Sequence, residues 1–181
     1  MNSSRLRQIF LASALGVLFA APAFAQPKTV AGSAYTKHPA ESCKLIKDDD
    51  VIKTYTCKGY AGIPVGISNE PDDYYLTPGK KHLSNEWPFG SFSFAEDVVE
   101  WRGEKKGKTL KPYATIIRYK IGKSVAGPFS QVLLIYKITP EGNSCLATKV
   151  DAHQPDANTR ARATADDIGK TFQCGRDSFR Q

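Results

Sequence analysis

Apolar and polar positions alternate along most of this chain with a period of two. Over Val51–Cys57, Ile52, Thr54 and Thr56 share one face, and Val51, Lys53, Tyr55 and Cys57 share the other. β-Branched and aromatic residues dominate the run, so it predicts a strand. Gly59–Gly62 reads as a turn and Ile63–Ser68 as the second arm of a hairpin, with Gly66 marking a bulge or a close neighbour. Leu45-Ile46 leads into an Asp48-Asp49-Asp50 turn, and Tyr74-Tyr75-Leu76 is a short strand before the Pro78-Gly79 turn. Val98–Arg102 alternates again: Val99 and Trp101 on one face, Val98, Glu100 and Arg102 on the other. Tyr113–Lys120 and Gln131–Thr139 are the strongest strands. Val132–Tyr136 is nearly continuous in apolar residues, which places it centrally with both faces covered. Gly103–Lys111 reads as an exposed basic loop. Lys80–Phe94 is the least regular stretch and holds Trp87, Phe89, Phe92 and Phe94. Cys145–Val150 is the last strand.

The period then lengthens. Ala157, Ala161, Ala165, Ile168 and Phe172 recur at steps of three or four, which places them on one face of a helix. The helix starts near Asp156, a suitable N-cap, and ends near Gln173. Arg162 and Asp166 have the spacing of an i,i+4 ion pair on its other side. The apolar face is mostly alanine, so the helix packs closely but buries little area per residue. Together these elements predict an α+β fold: an antiparallel, curved sheet of about seven or eight strands with one C-terminal helix packed on it.

The first residues belong to a different pattern. Arg5 and Arg7 precede an apolar run from Ile9 to Ala21, and Ala23-Phe24-Ala25 is a small-x-small site. This is the layout of a secretory signal peptide over residues 1–25, cut after Ala25. The apolar run is short for a membrane span, and no later run is long enough for one. Residues 26–40 are polar and interrupted by Pro27, Gly32 and Pro39, which predicts a flexible N-terminal arm. Residues 41–181 then form a single domain.

The whole chain carries a formal charge of +7, which falls to about +5 without Arg5 and Arg7. Such an excess first reads as a solubilising surface, and no nucleic-acid-binding motif accompanies it. Four cysteines follow the signal, and an even number in an exported chain implies disulfides. Three pairings are possible. Cys43–Cys57 and Cys145–Cys174 are favoured because each closes a local loop, contributing about 3 kcal/mol in the loop-entropy account. No CxxC motif or zinc spacing is present, and neither a metal nor a cofactor is predicted. Periplasmic or secreted localisation follows.

Candidate chemistry is sparse. Asp151 and His153 lie between the last strand and the helix, where a general acid/base pair is conceivable; the plainer role is Asp151 bonding the turn with His153 in solvent. Glu100, Arg102 and Arg118 are charges within strand-like runs. If their strands are neighbours, Glu100 can pair with Arg118, or the group can line a pocket for an anion or a saccharide. Tyr74, Tyr75, Trp87, Phe89 and Trp101 form either an aromatic platform or ordinary packing. His38, His82 and His153 show no ligand spacing.

Val99-Glu100-Trp101-Arg102, and the segment from Cys145 through Val150-Asp151-Ala152 to Asp156-Ala157-Asn158, Ala161-Arg162 and Ala165-Asp166, resemble a group of small exported alphaproteobacterial proteins of unestablished function. The resemblance implies an exported protein and carries over no catalytic residue. The Thr54-Tyr55-Thr56-Cys57 hairpin is similar to the opening of periplasmic lysozyme inhibitors.

The leading expectation is a non-enzymatic periplasmic binding module for an envelope protein or cell-wall component, with Trp87, Glu100, Arg102 and Arg118 as candidate binding residues. An inhibitor of a cell-wall hydrolase is one form of it. The alternatives are a small hydrolase using Asp151, His153 or Glu100, and an envelope structural protein. Peptide mapping of the non-reduced protein is expected to find Cys145 joined to Cys174; a Cys43–Cys174 peptide would overturn this topology.

Overall fold

The computed structural model describes residues 29–83, 87–90 and 92–181. The expected signal peptide lies outside the described residues. Among the described residues, nine strands and one α-helix follow in order: β1 Val30–Lys37, β2 Lys44–Asp48, β3 Lys53–Tyr60, β4 Ile63–Asn69, β5 Tyr74–Pro78, β6 Ser93–Lys106, β7 Thr109–Gly122, β8 Phe129–Ile138, β9 Ser144–Asp151 and α1 Ala157–Thr171. The fold is α+β, as the pattern predicts. The sheet runs β2-β3-β4-β5-β6-β7-β8-β9, with β1 added beside β6. It is mixed rather than wholly antiparallel, because β5 meets β6 through one parallel bridge, Tyr74–Phe94. The long connection between those strands carries the chain across before β6 begins, and a hairpin-length link would not allow that.

The sheet curls back on itself. After β5, Lys80 N bonds Gly142 O, Ser144 N bonds Lys81 O and Leu83 N bonds Ser144 O, so this segment runs beside the start of β9. The enclosed face holds one core, built on Val65, Leu76, Trp101, Ile117, Tyr119 and Leu134. The outer face of β7–β9 carries a second core under α1: Ala114, Ile135 and Ala147 meet Ala161, Ala165 and Ile168. β8 feeds both, with Leu133 and Ile135 under the helix and Leu134 and Tyr136 inside. Its apolar run is therefore covered on both faces, as expected.

Beyond their single bridge, β5 and β6 separate. The Tyr119 hydroxyl fills that gap, accepting from Leu76 N and donating to Leu76 O, each at 3.0 Å. One side chain thus replaces a missing strand partner for two buried backbone groups. Burial pushes the phenol up to about 12.

Several local expectations change. Residues 30–37 are not an arm: β1 pairs antiparallel with Val98–Lys105 of β6. β5 borders only the beginning of that fourteen-residue strand, and β1 covers the edge left open. The folded unit therefore includes Val30 onward, upstream of the boundary expected at 41. Gly32 lets the strands approach, since a Cβ there would lie 3.1 Å from the Lys105 Cβ. Lys44–Asp48 is a strand, with its register shifting around Ile46. Most of Gly103–Lys111 is also strand, because β6 and β7 continue to a tight turn at Gly107-Lys108. Gly66 marks neither a bulge nor an unusually close neighbour, since a Cβ there would lie 3.7 Å from the Thr77 carbonyl oxygen; the irregularity lies between Cys57 and Tyr60, where a Cβ on Gly59 would strike the Ile63 carbonyl oxygen. Asp156 is the N-cap of α1, but its side chain makes no capping bond.

Both disulfides form as expected, Cys43–Cys57 and Cys145–Cys174, with Cα–Cα distances of 4.6 and 5.7 Å. Such bonds belong with an oxidising compartment. Among the described residues, no helix is long and apolar enough to cross a membrane. Beyond Cys174 the chain returns to β9: Arg180 N bonds Ala147 O, and Thr148 Oγ1 donates to Arg180 O at 2.8 Å.

Replacing Cys145 and Cys174 together by alanine is expected to lower unfolding stability by about 3–4 kcal/mol in urea titration. The last turn of α1 should lose hydrogen-exchange protection first. An unchanged midpoint would show that the bridge does not clasp the helix.

Candidate functional site

Strand alternation puts Glu100 and Arg102 on the same outward face of β6, toward α1. Helix periodicity puts Arg162 and Asp166 one turn apart above them. The two pairs join across the interface. Arg162 Nε reaches Glu100 Oε1 at 2.7 Å. Arg102 grips Asp166 with two bonds, Nε–Oδ1 at 2.9 Å and Nη2–Oδ2 at 2.6 Å. Ser33 of β1 ties the pairs together, donating to Glu100 Oε1 at 2.5 Å and accepting from Arg102 Nη1 at 2.7 Å. The Tyr113 hydroxyl donates to Asp166 Oδ1 at 2.7 Å, and the Tyr35 hydroxyl accepts from Arg162 Nη2 at 3.0 Å. The result is a continuous polar seam across β1, β6, β7 and α1.

This seam replaces two pairings suggested by sequence. Arg162 does not bond Asp166, because each has a closer partner on the sheet. Glu100 does not pair with Arg118, because the register sets Glu100 opposite Ile116. Burial works to raise the Asp166 carboxyl, but hydrogen bonds from Arg102 and Tyr113 outweigh it and hold the group below its ordinary value. The Tyr113 phenol is pushed up by burial and by its bond to that carboxylate.

Clefts open on both sides of the seam. Toward the C-terminal end of α1, a cleft of about 440 Å³ brings together Lys111, Lys137, Lys170 and Glu104 beside Tyr113 and Asp166. Lys137 donates to the Gly169 carbonyl in the last helical turn, and its half-buried position lowers its pKa by desolvation. Gly169 is required there, since a Cβ would enter the Tyr113 ring. An adjoining cleft of about 350 Å³ shares Lys111, Pro112 and Pro140 and adds Lys80 and Glu141. The two clefts adjoin at these shared residues and between them are lined by four lysines, and Asp166 in the first is already bound by Arg102. On the other side of the seam lies a smaller groove of about 230 Å³, floored by Val98, Ile116 and Leu133, with Arg118 and Glu96 at its rim.

The candidate binding residues separate accordingly. Glu100 and Arg118 line the smaller groove. Arg102 is buried in the seam. Trp87 is half-buried and packs against the enclosed core, with Tyr75 at 4.9 Å and Tyr119 at 5.5 Å between ring centroids, so it does not join the others. Trp101 is fully buried, its indole N–H donating to Thr36 Oγ1 at 2.7 Å. Tyr74, Tyr75 and Phe89 are, like Trp87, partly buried against the same core. Asp151 accepts from the His153 backbone N–H at 2.9 Å, as a turn residue should. His153 is not simply solvated: its Nε2 accepts from Gln131 N at 3.3 Å. Among the described residues, one group comes within metal-ligand reach, His38 with Cys43 and Cys57. Its two sulfurs are bonded to each other and cannot act as thiolate ligands.

Comparison with protein-family models, curated proteins and solved structures returns no significant match. No residue role is inherited from a relative. Lys80, Lys111, Lys137 and Lys170 sit on four separate segments, and nothing in their local sequence links them.

Asp166→Asn is expected to destabilise the protein by roughly 3 kcal/mol, because it leaves Arg102 buried without a counter-charge. The depressed Asp166 contributes stability above the ordinary carboxyl range of about pH 4, and loses it as pH falls through the folded value. Urea midpoints measured from neutral pH into acid should therefore fall less steeply in the variant than in the parent. Equal slopes would remove Asp166 as a source of the acid sensitivity.

Proposed function

We propose that the protein is an exported, non-enzymatic binding module, released by cleavage after Ala25, that holds an anionic component of the cell envelope. The observation that carries this reading is the pair of adjoining clefts that Lys80, Lys111, Lys137 and Lys170 line from four segments of the chain. A narrow cleft lined by one sign of charge focuses the field and concentrates counter-charged ligands. Glu104 and Glu141 offset part of that charge, whereas Asp166 is neutralised by Arg102. Lys137 brings a partly dehydrated amine, whose pairing with an anion costs less desolvation than that of a surface lysine.

A non-catalytic role is supported by how the candidate acids and bases are engaged. Asp151 and His153 bond the turn, and Glu100 is bonded by Arg162 and Ser33. The hydroxyl that meets Glu100, that of Ser33, also accepts from Arg102, so this contact is part of the seam that joins β1 to β6.

Titration calorimetry with polygalacturonate, a carboxylated polymer, tests the reading. Binding is expected at low ionic strength and should weaken strongly as salt is raised. Lys111→Glu combined with Lys170→Glu should cost about tenfold or more in affinity, near 1.4 kcal/mol. Lys44→Glu with Lys47→Glu, on the distant strand β2, should leave it unchanged. Binding that is insensitive to the cleft variants would sink the assignment.

A further inference from the structure

The smaller groove differs in kind from the lysine-lined clefts and does not depend on them. Its floor is apolar: Ile116 and Leu133 are buried, while Val98 is 42% exposed beside charged neighbours. Its rim carries two guanidinium and two carboxylate groups. Arg162 and Glu100 are closely paired at 2.7 Å and further bonded by Tyr35 and Ser33. Arg118 and Glu96 are not. Arg118 Nε lies 3.9 Å from Glu96 Oε2, beyond hydrogen-bond range. Its other nitrogens make long bonds to neutral amides, Nη1 to Gln131 Oε1 at 3.3 Å and Nη2 to Asn158 Oδ1 at 3.2 Å. Two amides therefore orient the guanidinium without neutralising it, and Glu96 keeps nearly half its side chain in solvent.

One positive and one negative group thus stand a few ångströms apart at the edge of an apolar floor. A simple anion would satisfy Arg118 but meet the Glu96 carboxylate. A simple cation would meet Arg118. A ligand with both charges on adjacent atoms satisfies both, and the apolar floor asks for an aliphatic group next to them. We propose that this groove binds a free α-amino acid with an aliphatic side chain. Its carboxylate is taken by Arg118 in the bidentate manner that guanidinium favours. Its ammonium is taken by Glu96, and its side chain lies over Val98, Ile116 and Leu133. A volume of about 230 Å³ suits one residue of leucine size and is below that of ordinary drug-sized sites.

L-Leucine titrated into isotopically labelled protein, followed by amide NMR, tests the proposal. Leucine is expected to shift amides around Glu96, Val98, Arg118 and Asn158 and to saturate at about millimolar concentration. Leucinamide, which lacks the carboxylate, and N-acetyl-leucine, which lacks the ammonium, should each bind at least about tenfold more weakly. Glycine should also be weaker, for want of the side chain. Arg118→Gln and Glu96→Gln should each abolish the shifts while keeping the parent thermal midpoint. Glu96→Gln loosens only a 3.9 Å ion pair at a half-exposed side chain, so it serves if Arg118→Gln fails to fold. N-acetyl-leucine binding as tightly as leucine would make this a plain carboxylate site and overturn the proposal, as would the absence of shifts with leucine.

Discussion

The buried grip of Arg102 on Asp166 is the constraint on which the outer half of the structure depends. The helix above it is poor in apolar bulk: Ala157, Ala161 and Ala165 make up most of its buried face. Burying a methyl group contributes under about 1 kcal/mol, so area alone holds this helix weakly. Alanine does allow close approach, which brings charges on the helix and strand within direct bonding distance. The same choice of small residues thus weakens the apolar contact and makes the ionic one possible. Because the guanidinium is desolvated, either partner without the other would be costly, which fixes the helix in one register on the sheet. The disulfide at Cys174 secures the end of the helix that the seam does not reach.

The seam also divides the surface chemically. On one side the helix ends among lysines. On the other, a guanidinium and a carboxylate remain incompletely paired above Val98. The central residues, Arg102, Asp166, Glu100 and Arg162, are engaged with each other. Groups available to a ligand therefore lie at the flanks, where neutral partners hold them: the Gln131 and Asn158 amides for Arg118, and the Gly169 carbonyl for Lys137.

Much of the fold was legible in the chain because local signals agreed with tertiary ones. The Val132–Tyr136 run could only be a covered strand, the steps from Ala157 to Phe172 marked one helix face, and the cysteines paired across their shortest loops. Where the deciding partner was remote, the signal failed. β1 looks like a broken polar arm because Gly32 and its small neighbours carry little strand character; the open edge of β6 makes them a strand. Arg162 and Asp166 have the spacing of an in-helix pair, yet Glu100 and Arg102 lie closer in space. Glu100 and Arg102 did stand out as charges within a strand-like run. Trp87 drew attention as an aromatic in an irregular stretch, which loop packing explains. The lysine-lined clefts had no signal, since their members come from segments that only the folded sheet brings together.

The pairing of β1 with β6 has a kinetic side. The segment from β2 to β5 lies between β1 and its partner, so a large loop must close before that contact returns any energy. Topologies dominated by such remote pairings fold slowly for their length. Ser33, which joins the two ion pairs, sits on that strand. The seam cannot be complete until β1 has docked on β6, and the clefts on both sides, lined in part by Val30, Ala31 and Tyr35 of β1, share that requirement.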